Sequence, residues 1–257
     1  EHAALTGSRE VIVLEELEPE RSFNVNLNYL KKIYTQNGNF IGIETTAWYT
    51  RFSNSIIPDY DTNPNQIIYK NLEGHAVTKG ISSNIDFVFN NGLKMILGAT
   101  YMDVSKTENN TTTQQILTEK FSGTWAISYR INKLFLDLDY TGNLYGPMRL
   151  PLLGDLDPRK EYSPTWSIQN IQFTFNKFKN IEIYAGVKNL LNWTPNTGNT
   201  FIIARANDPF DKNIQYGPNG NILATADNPY ALSFDPSYVY GPNQGIRSFF
   251  GVRYTLK

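Results

Sequence analysis

The chain has 257 residues, enough for one large β domain, and its formal net charge is −1. This balance argues against nucleic-acid binding, which needs an excess of clustered basic side chains. The absence of cysteine excludes disulfides, thiolate nucleophiles and cysteine-ligated zinc. No segment approaches the roughly 18 apolar residues of a membrane-spanning helix, so the chain is either soluble or meets lipid with every second residue only.

Alternation with a period of two dominates the chain. Residues 21–29 read RSFNVNLNY, and a strand places the asparagines on one face and the apolar side chains on the other. The pattern recurs and predicts about nine strands of about ten residues, the length that crosses a bilayer when tilted. They cover 21–29, 41–49, 81–89, 95–101, 121–131, 134–141, 166–175, 181–188 and 246–256. The apolar phase flips after Ile168, which predicts a bulge at Gln169 and Asn170.

The connections alternate between short and long. The short ones lie at 36–38, 90–92, 132–133 and 176–180, and two of them contain the Asn-Gly pairs that suit tight hairpins. The long, polar ones cover 53–75, 105–119, 143–164 and 192–243. Outer-membrane barrels sort their loops in this way, with short turns at the periplasm and long loops outside.

Aromatic residues make up 14% of the chain, which suits the rings that line both membrane interfaces of a barrel. The pattern predicts two groups of lipid-facing aromatics. The outer group is Phe23, Tyr49, Tyr101, Phe121, Tyr140 and Trp166, and the inner group is Tyr129 and Tyr254. The polar faces would then line a wet or plugged lumen. In the alternative, a soluble β-sandwich binding module, the apolar faces would pack together.

Several segments resemble the C-terminal half of TonB-dependent outer-membrane receptors. They are LEPER at 17–21, YKNLEGHA at 69–76 with Gly80 and Ile81, GVKNLLN at 186–192 and FFGVRYTLK at 249–257. The third, which resembles the end of the family's penultimate strand, is the most specific. Ser82 stands where the family usually has Glu, and Lys257 where its last residue is often aromatic.

The resemblance implies an all-β fold, a transmembrane antiparallel barrel of about 22 strands with a plug in its lumen. Residues 1–20 would be an extracellular loop leading into the first strand, and residues 21–257 the C-terminal portion of the barrel. About nine strands cannot close such a wall, so we expect the plug, the TonB box and the other strands to lie elsewhere.

The resemblance also implies partners: the rest of the barrel and its plug, TonB, outer-membrane lipid and a small-molecule or glycan ligand. It leaves a surface lipoprotein open as a further partner, and it implies no cofactor. Candidate ligand-binding residues lie in the long loops, where aromatic and Arg side chains are usual anchors. They are Tyr60, Met148, Arg149, Arg205, Phe210, Tyr216 and Tyr238. The segment around Met148 could equally pack against neighbouring loops.

Polar residues of the lumenal faces are candidates for holding the plug. They are Glu44, Asp86, Arg130, Asp137, Asp139 and Arg253. No phosphate loop, nucleophile elbow or histidine-rich metal site is recognisable, so we expect no enzyme and no metal centre. The leading hypothesis is active uptake of a scarce ligand: a ferric siderophore, cobalamin, haem or an oligosaccharide. A passive channel or an adhesin barrel is the second hypothesis, and a soluble binding module the third.

Overall fold

The computed structural model describes residues 10–59, 62, 66–150, 160–195, 215, 217–218, 223–226, 240–242 and 244–256. It contains thirteen strands within these residues. They are β1 Glu10–Val13, β2 Arg21–Tyr34, β3 Phe40–Asn54, β4 Ile56–Asp59, β5 Gln66–Asn71, β6 Gly74–Val88, β7 Leu93–Glu108, β8 Thr111–Gln114, β9 Phe121–Ile131, β10 Leu136–Tyr145, β11 Trp166–Phe178, β12 Ile181–Lys188 and β13 Arg247–Tyr254. No helix in the described part of the chain is long and apolar enough to cross a membrane.

Nine long strands form one antiparallel sheet in the order β13-β12-β11-β10-β9-β7-β6-β3-β2. The predicted all-β fold and its strands are therefore confirmed, although β2, β3, β6 and β7 have 14 to 16 residues and exceed the predicted length. The extra residues lie mostly at the long-loop end of the sheet. Within the described residues the sheet is open, with β2 and β13 at its edges.

The loops sort by side as predicted. Tight connections join β2 to β3, β6 to β7, β9 to β10 and β11 to β12, and long ones follow β3, β7, β10 and β12. Gly38 and Gly92 have positive φ angles of 76° and 91° in two of the tight turns, a conformation that glycine adopts without strain. All tight turns meet at one end, which we call the short-turn end, and the long loops meet at the long-loop end.

Register confirms the two faces. Leu27 opposes Ala47, which opposes Ile81, which in turn opposes Tyr101. We call this side the apolar face and the opposite side, which carries the asparagines of β2, the polar face. Leu27 is 71% exposed and Phe250 on β13 is 72% exposed. Because no second sheet covers the apolar face within the described residues, the structure does not fit the β-sandwich alternative.

Glycines opposite aromatic rings recur across the sheet. Trp48 lies over Gly80, Trp125 over Gly142 and Phe249 over Gly186, and a Cβ atom at each of the three glycines would clash with the ring. A ring that covers a cross-strand glycine restores the packing that the missing side chain would leave out.

Two sequence-based predictions on β11 are wrong. Its register with β10 is continuous from Trp166 to Phe175, so there is no bulge at Gln169 and Asn170; the irregularity lies between Phe175 and Phe178, against β12. Trp166 is on the polar face and 6% exposed, and so it does not join the outer lipid-facing aromatics. The apolar phase flips because Trp166 and Ile168 pack under the loops, while the backbone keeps its register.

Buried apolar side chains lie at the long-loop end. Strands β1, β5 and β4 form a small separate sheet there, with Ile57, Ile67 and Ile68 buried. A second group, which we call the loop cluster, consists of Met148, Leu150, Trp166, Trp193 and Tyr240. We call the nine-stranded sheet the wall. The packed core of the described residues therefore lies beyond the long-loop end of the wall.

Candidate functional site

The polar face carries a cross-strand ion pair near the short-turn end. Arg130 on β9 donates from Nε to Oδ1 of Asp137 at 2.7 Å and from Nη2 to Oδ2 at 2.9 Å. Asn176 on β11 donates from Nδ2 to the same Oδ2 at 2.9 Å. This bidentate geometry is the stronger form of an Arg–carboxylate contact, and here it ties three strands together.

Two more of the predicted plug-contacting residues are paired with wall neighbours. Asp139 accepts a 2.5 Å hydrogen bond from the hydroxyl of Ser128. Arg253 donates to Oε2 of Glu182 at 2.7 Å, and its guanidinium carbon lies 5.8 Å from the centre of the Tyr184 ring. These groups lie on the polar face, and contacts within the sheet already satisfy them in part.

Glu44 and Asp86 differ from these four residues. They lie on neighbouring strands of the polar face, Glu44 opposite Asn84 and Asp86 opposite Gly42. Both are exposed, at an open depression that Lys32 also lines. Neither carboxylate has an ion-pair or hydrogen-bond partner among the residues that the structure describes. Of the six candidates, these two are the most available to a cationic partner group.

The loop cluster contains one of the predicted ligand-binding residues. Met148 is 5% exposed and packs with Leu150 against Trp166. This contact agrees with the second interpretation of the segment, in which it packs against neighbouring loops. Arg149 donates from Nε to Oε1 of Glu161 at 3.4 Å, and its side chain is 17% exposed. Backbone bonds fix the segment, because the Ser163 N–H donates to the Met148 carbonyl at 2.8 Å. The other loop candidates, Tyr60, Arg205, Phe210, Tyr216 and Tyr238, lie outside the described residues.

Stacked rings form the centre of the loop cluster. The rings of Trp166 and Trp193 lie 4.6 Å apart and nearly parallel, at 8°. Tyr240 packs edge-on against Trp193 and donates its hydroxyl to the Pro195 carbonyl at 3.0 Å. Burial raises the pKa of Tyr240 to about 12.

The segment GVKNLLN organises this cluster. The Asn189 side chain accepts from the Trp193 N–H at 3.0 Å and donates to the carbonyls of Trp193 at 2.7 Å and Gln244 at 2.9 Å. Asn192 accepts from the Ile246 N–H at 2.8 Å. Both asparagines have positive φ, 53° and 49°, which Asn tolerates better than most residues. The motif therefore ties the start of the long last loop to the residues just before β13.

Two of the other three motifs, LEPER and YKNLEGHA, form a clip at the long-loop end. Oε1 of Glu20 accepts from the Ser55 hydroxyl at 2.9 Å and the Ile56 N–H at 3.0 Å. The Asn71 side chain exchanges two hydrogen bonds with the backbone of Glu18, at 2.8 and 3.0 Å, and donates to Oδ1 of Asn54 at 3.0 Å. LEPER and YKNLEGHA thus hold the approach to β2 against the loop between β3 and β6.

The sequence did not identify Trp193, Tyr240 and Asn189 as one group. Asn189 and Trp193 are close in sequence, but Tyr240 is some fifty residues away, across the long loop. The one sequence feature that points to this group is the Asn189–Asn192 pair, because Asn tolerates the left-handed backbone conformation that both residues adopt.

Comparison with known proteins places this geometry in a family. The family model for the TonB dependent receptor-like β-barrel matches residues 6–190. No curated protein matches the sequence.

Solved structures match over most of the chain. The pyoverdine outer membrane receptor FpvA from Pseudomonas aeruginosa PAO1, bound to pyoverdine, has a TM-score of 0.60 at 14% identity, covering 93% of this chain and 30% of that one. The FpvAI–pyocin S2 complex gives 0.58 at 13%, with 93% and 28% covered. The ferric-catecholate import receptor Fiu from E. coli K12 gives 0.53 at 10%, with 69% and 24% covered.

At these identities the likeness to solved structures concerns the fold, and the chain spans less than a third of the length of these receptors. The family model, in contrast, covers more than half of the sequence. The chain belongs to the TonB-dependent receptor-like β-barrel family, whose members are outer-membrane receptors.

Proposed function

We propose that the chain forms wall and outer loops of a receptor that actively imports a scarce ligand, most specifically a ferric siderophore, across the outer membrane. The family assignment supports the receptor class. The names of two structural neighbours, a pyoverdine receptor and a ferric-catecholate import receptor, favour iron carriers over cobalamin, haem or oligosaccharides.

The apolar face is the observation that carries this proposal. Its exposed side chains occur on interior strands as well as at the edges: Leu27 on β2, Tyr101 on β7, Phe173 on β11 and Phe250 on β13 are 71%, 58%, 43% and 72% exposed. Water-soluble proteins rarely expose contiguous apolar patches larger than a few hundred Å². A continuous apolar face across nine strands is stable when hydrocarbon covers it. A segment that spans lipid must also pair its backbone N–H and C=O groups within the protein, as neighbouring strands of a sheet do.

The polar face then has a division of roles. The paired groups, such as Arg130 with Asp137, brace the wall, while Glu44 and Asp86 are left to hold a plug through cationic side chains. Energy for release of the plug would come from TonB, since the outer membrane holds no ATP. This scheme gives the chain a transport role with no catalytic step and no cofactor.

Growth under iron limitation tests the ligand class. A deletion strain carrying the full-length gene on a plasmid would be supplied separately with ferric catecholate, ferric hydroxamate, ferric pyoverdine, haem, cobalamin or oligosaccharides. We expect the gene to restore growth on one ferric siderophore class. Restoration on cobalamin or a glycan alone would contradict the siderophore assignment.

Conductance distinguishes active transport from a passive channel. In planar bilayers, the full-length gene product should be closed, and a form without its plug should conduct as a water-filled pore. A full-length form that conducts steadily would favour the passive channel, and a plug-free form that stays closed would contradict the proposed lumen.

A further inference from the structure

Three cations lie together on the apolar face at its long-loop end. We call Arg51, Lys79 and Lys120 the basic patch. On β3, Arg51 is two residues beyond Tyr49, and Tyr49 opposes Lys79 on β6. Lys79 in turn opposes Asp103 on β7, and the Lys120 ammonium reaches the same carboxylate from the residue before β9. The patch therefore extends across four neighbouring strands.

The charges of the basic patch are only weakly compensated. Asp103 lies between the two lysines, with Nζ of Lys79 3.9 Å from Oδ2 and Nζ of Lys120 3.9 Å from Oδ1. These separations are at the long limit for an ion pair, and the lysine side chains are 58% and 53% exposed. Arg51 is exposed and has no ion-pair or hydrogen-bond partner among the described residues. Among the described residues, Asp103 is the only acidic residue that forms ion pairs with the basic patch.

The patch has a defined height. On β3 the apolar face runs from Ile41 to Tyr49 without a charged residue, and Arg51 follows. The ten residue steps from Ile41 to Arg51, on a strand tilted by about 45°, span roughly 24 Å, close to the apolar band of about 25 Å that barrels present to lipid. The aromatics Tyr49, Tyr101 and Phe121 border the patch on the side of this band. The basic patch therefore lies at the level of the outer headgroups.

We propose that the basic patch binds a phosphate group of an anionic glycolipid in the outer leaflet. This inference rests on the proposed function, since it requires the apolar face to meet lipid. A phosphate offers up to two negative charges and three acceptor oxygens. The Arg51 guanidinium can bind two of these oxygens at once, and the lysines add point charges once they leave their long contacts with Asp103. A zwitterionic headgroup, which has no net charge, would gain less.

Native mass spectrometry of the full-length gene product in detergent can test this. The probes are lipid A, a diphosphorylated glucosamine disaccharide lipid, and the same lipid with its phosphates removed. The test variant is Arg51→Gln/Lys79→Gln/Lys120→Gln. The matched control is Lys31→Gln/Lys133→Gln/Lys179→Gln, which removes the same charge at the short-turn end.

We expect wild type and control to retain lipid A equally, and the basic-patch variant to retain about ten-fold less, since three charge-assisted contacts are lost. None of the proteins should retain the dephosphorylated lipid at a comparable level. Equal retention of lipid A by wild type and the basic-patch variant would overturn the inference, and so would equal binding of the dephosphorylated lipid.

Fractionation separates this inference from the proposed function. If wild type leaves the membrane fraction without detergent, the proposed function fails and the lipid site fails with it. If wild type stays in the outer membrane but the basic-patch variant keeps its lipid A, only the lipid site is wrong.

Discussion

The wall of the sheet and the loop cluster place their apolar side chains in opposite ways. In the wall, Leu27 and Phe250 are 71% and 72% exposed on the apolar face. In the loop cluster, Trp166 and Trp193 are 6% and 9% exposed and stack on each other. Large apolar side chains are therefore exposed in one region and buried in the other.

This difference shows which region is stabilised by side-chain burial within the protein. In the proposed receptor, wall strands are held by backbone ladders and by lipid, so a single outward side chain contributes little to contacts within the protein. The loop cluster depends on the burial of its rings against one another, which contributes roughly 25 cal/mol per Å² of apolar surface. Substitutions that remove packed atoms should therefore destabilise the loop cluster most, and substitutions that add a charge to the apolar face should destabilise the wall most.

The largest effect is expected from Trp193→Ala. This substitution removes a buried ring from the loop cluster and should destabilise the folded loops by about 3–5 kcal/mol. Protease cleavage of the outer loops on intact cells would measure it. Trp125→Ala is the matched control, because it removes the same atoms from the half-exposed wall ring over Gly142. Equal cleavage in the two variants would contradict the contrast between wall and cluster.

The next effect concerns charge in the wall. Leu27→Arg places a cation at mid-depth on the apolar face. It should lower the free energy of unfolding from lipid by about 2–4 kcal/mol. Asn26→Arg introduces the same cation one residue away on the polar face, where we expect almost no loss of stability. Urea titration of both variants in the full-length gene product, folded into lipid, compares them. A larger loss for Asn26→Arg would reverse the two faces.

The sequence determines the strands of the wall because a strand with one apolar and one polar face leaves only the phase of alternation to be fixed. Leu27, Ile127, Leu138 and Val252 were all placed on the correct face from period two alone. The same rule misplaced Trp166, because at the long-loop end an apolar residue on the polar face can be buried by a loop. Loop packing joins residues far apart in sequence, such as Trp193 and Tyr240, and alternation carries no information about it.

A smaller effect separates the paired and unpaired charges of the polar face. Arg130→Gln breaks an exposed ion pair and should cost less than about 1 kcal/mol, with ligand uptake unchanged. Glu44→Gln with Asp86→Asn should leave stability unchanged and reduce uptake, because it removes the carboxylates left for the plug. Radiolabelled iron uptake and urea titration of the same preparations measure both quantities. Normal uptake in the double variant would remove these residues from the plug interface.

The smallest effect is confined to alkaline pH. Because burial raises the pKa of Tyr240 to about 12, the folded loop cluster binds this proton more tightly than the unfolded chain does. The contribution of Tyr240 to stability should be constant below pH 10 and fall as the pH rises from 10 towards 12. Loop cleavage across this range should increase in wild type and less in Tyr240→Phe. An identical pH response in the two proteins would show that Tyr240 is not the titrating group.

The orientation of β2 can be read directly, because the chain has no cysteine and accepts single cysteines without background. Cysteines at positions 23 to 29 of the full-length gene product, reconstituted in lipid vesicles, would be spin-labelled and exposed to oxygen or to a water-soluble nickel complex. Collisions with oxygen should dominate at Phe23, Val25, Leu27 and Tyr29, and collisions with nickel at Asn24, Asn26 and Asn28. A profile without this two-residue period, or with the two sets exchanged, would contradict the assignment of the apolar face to lipid.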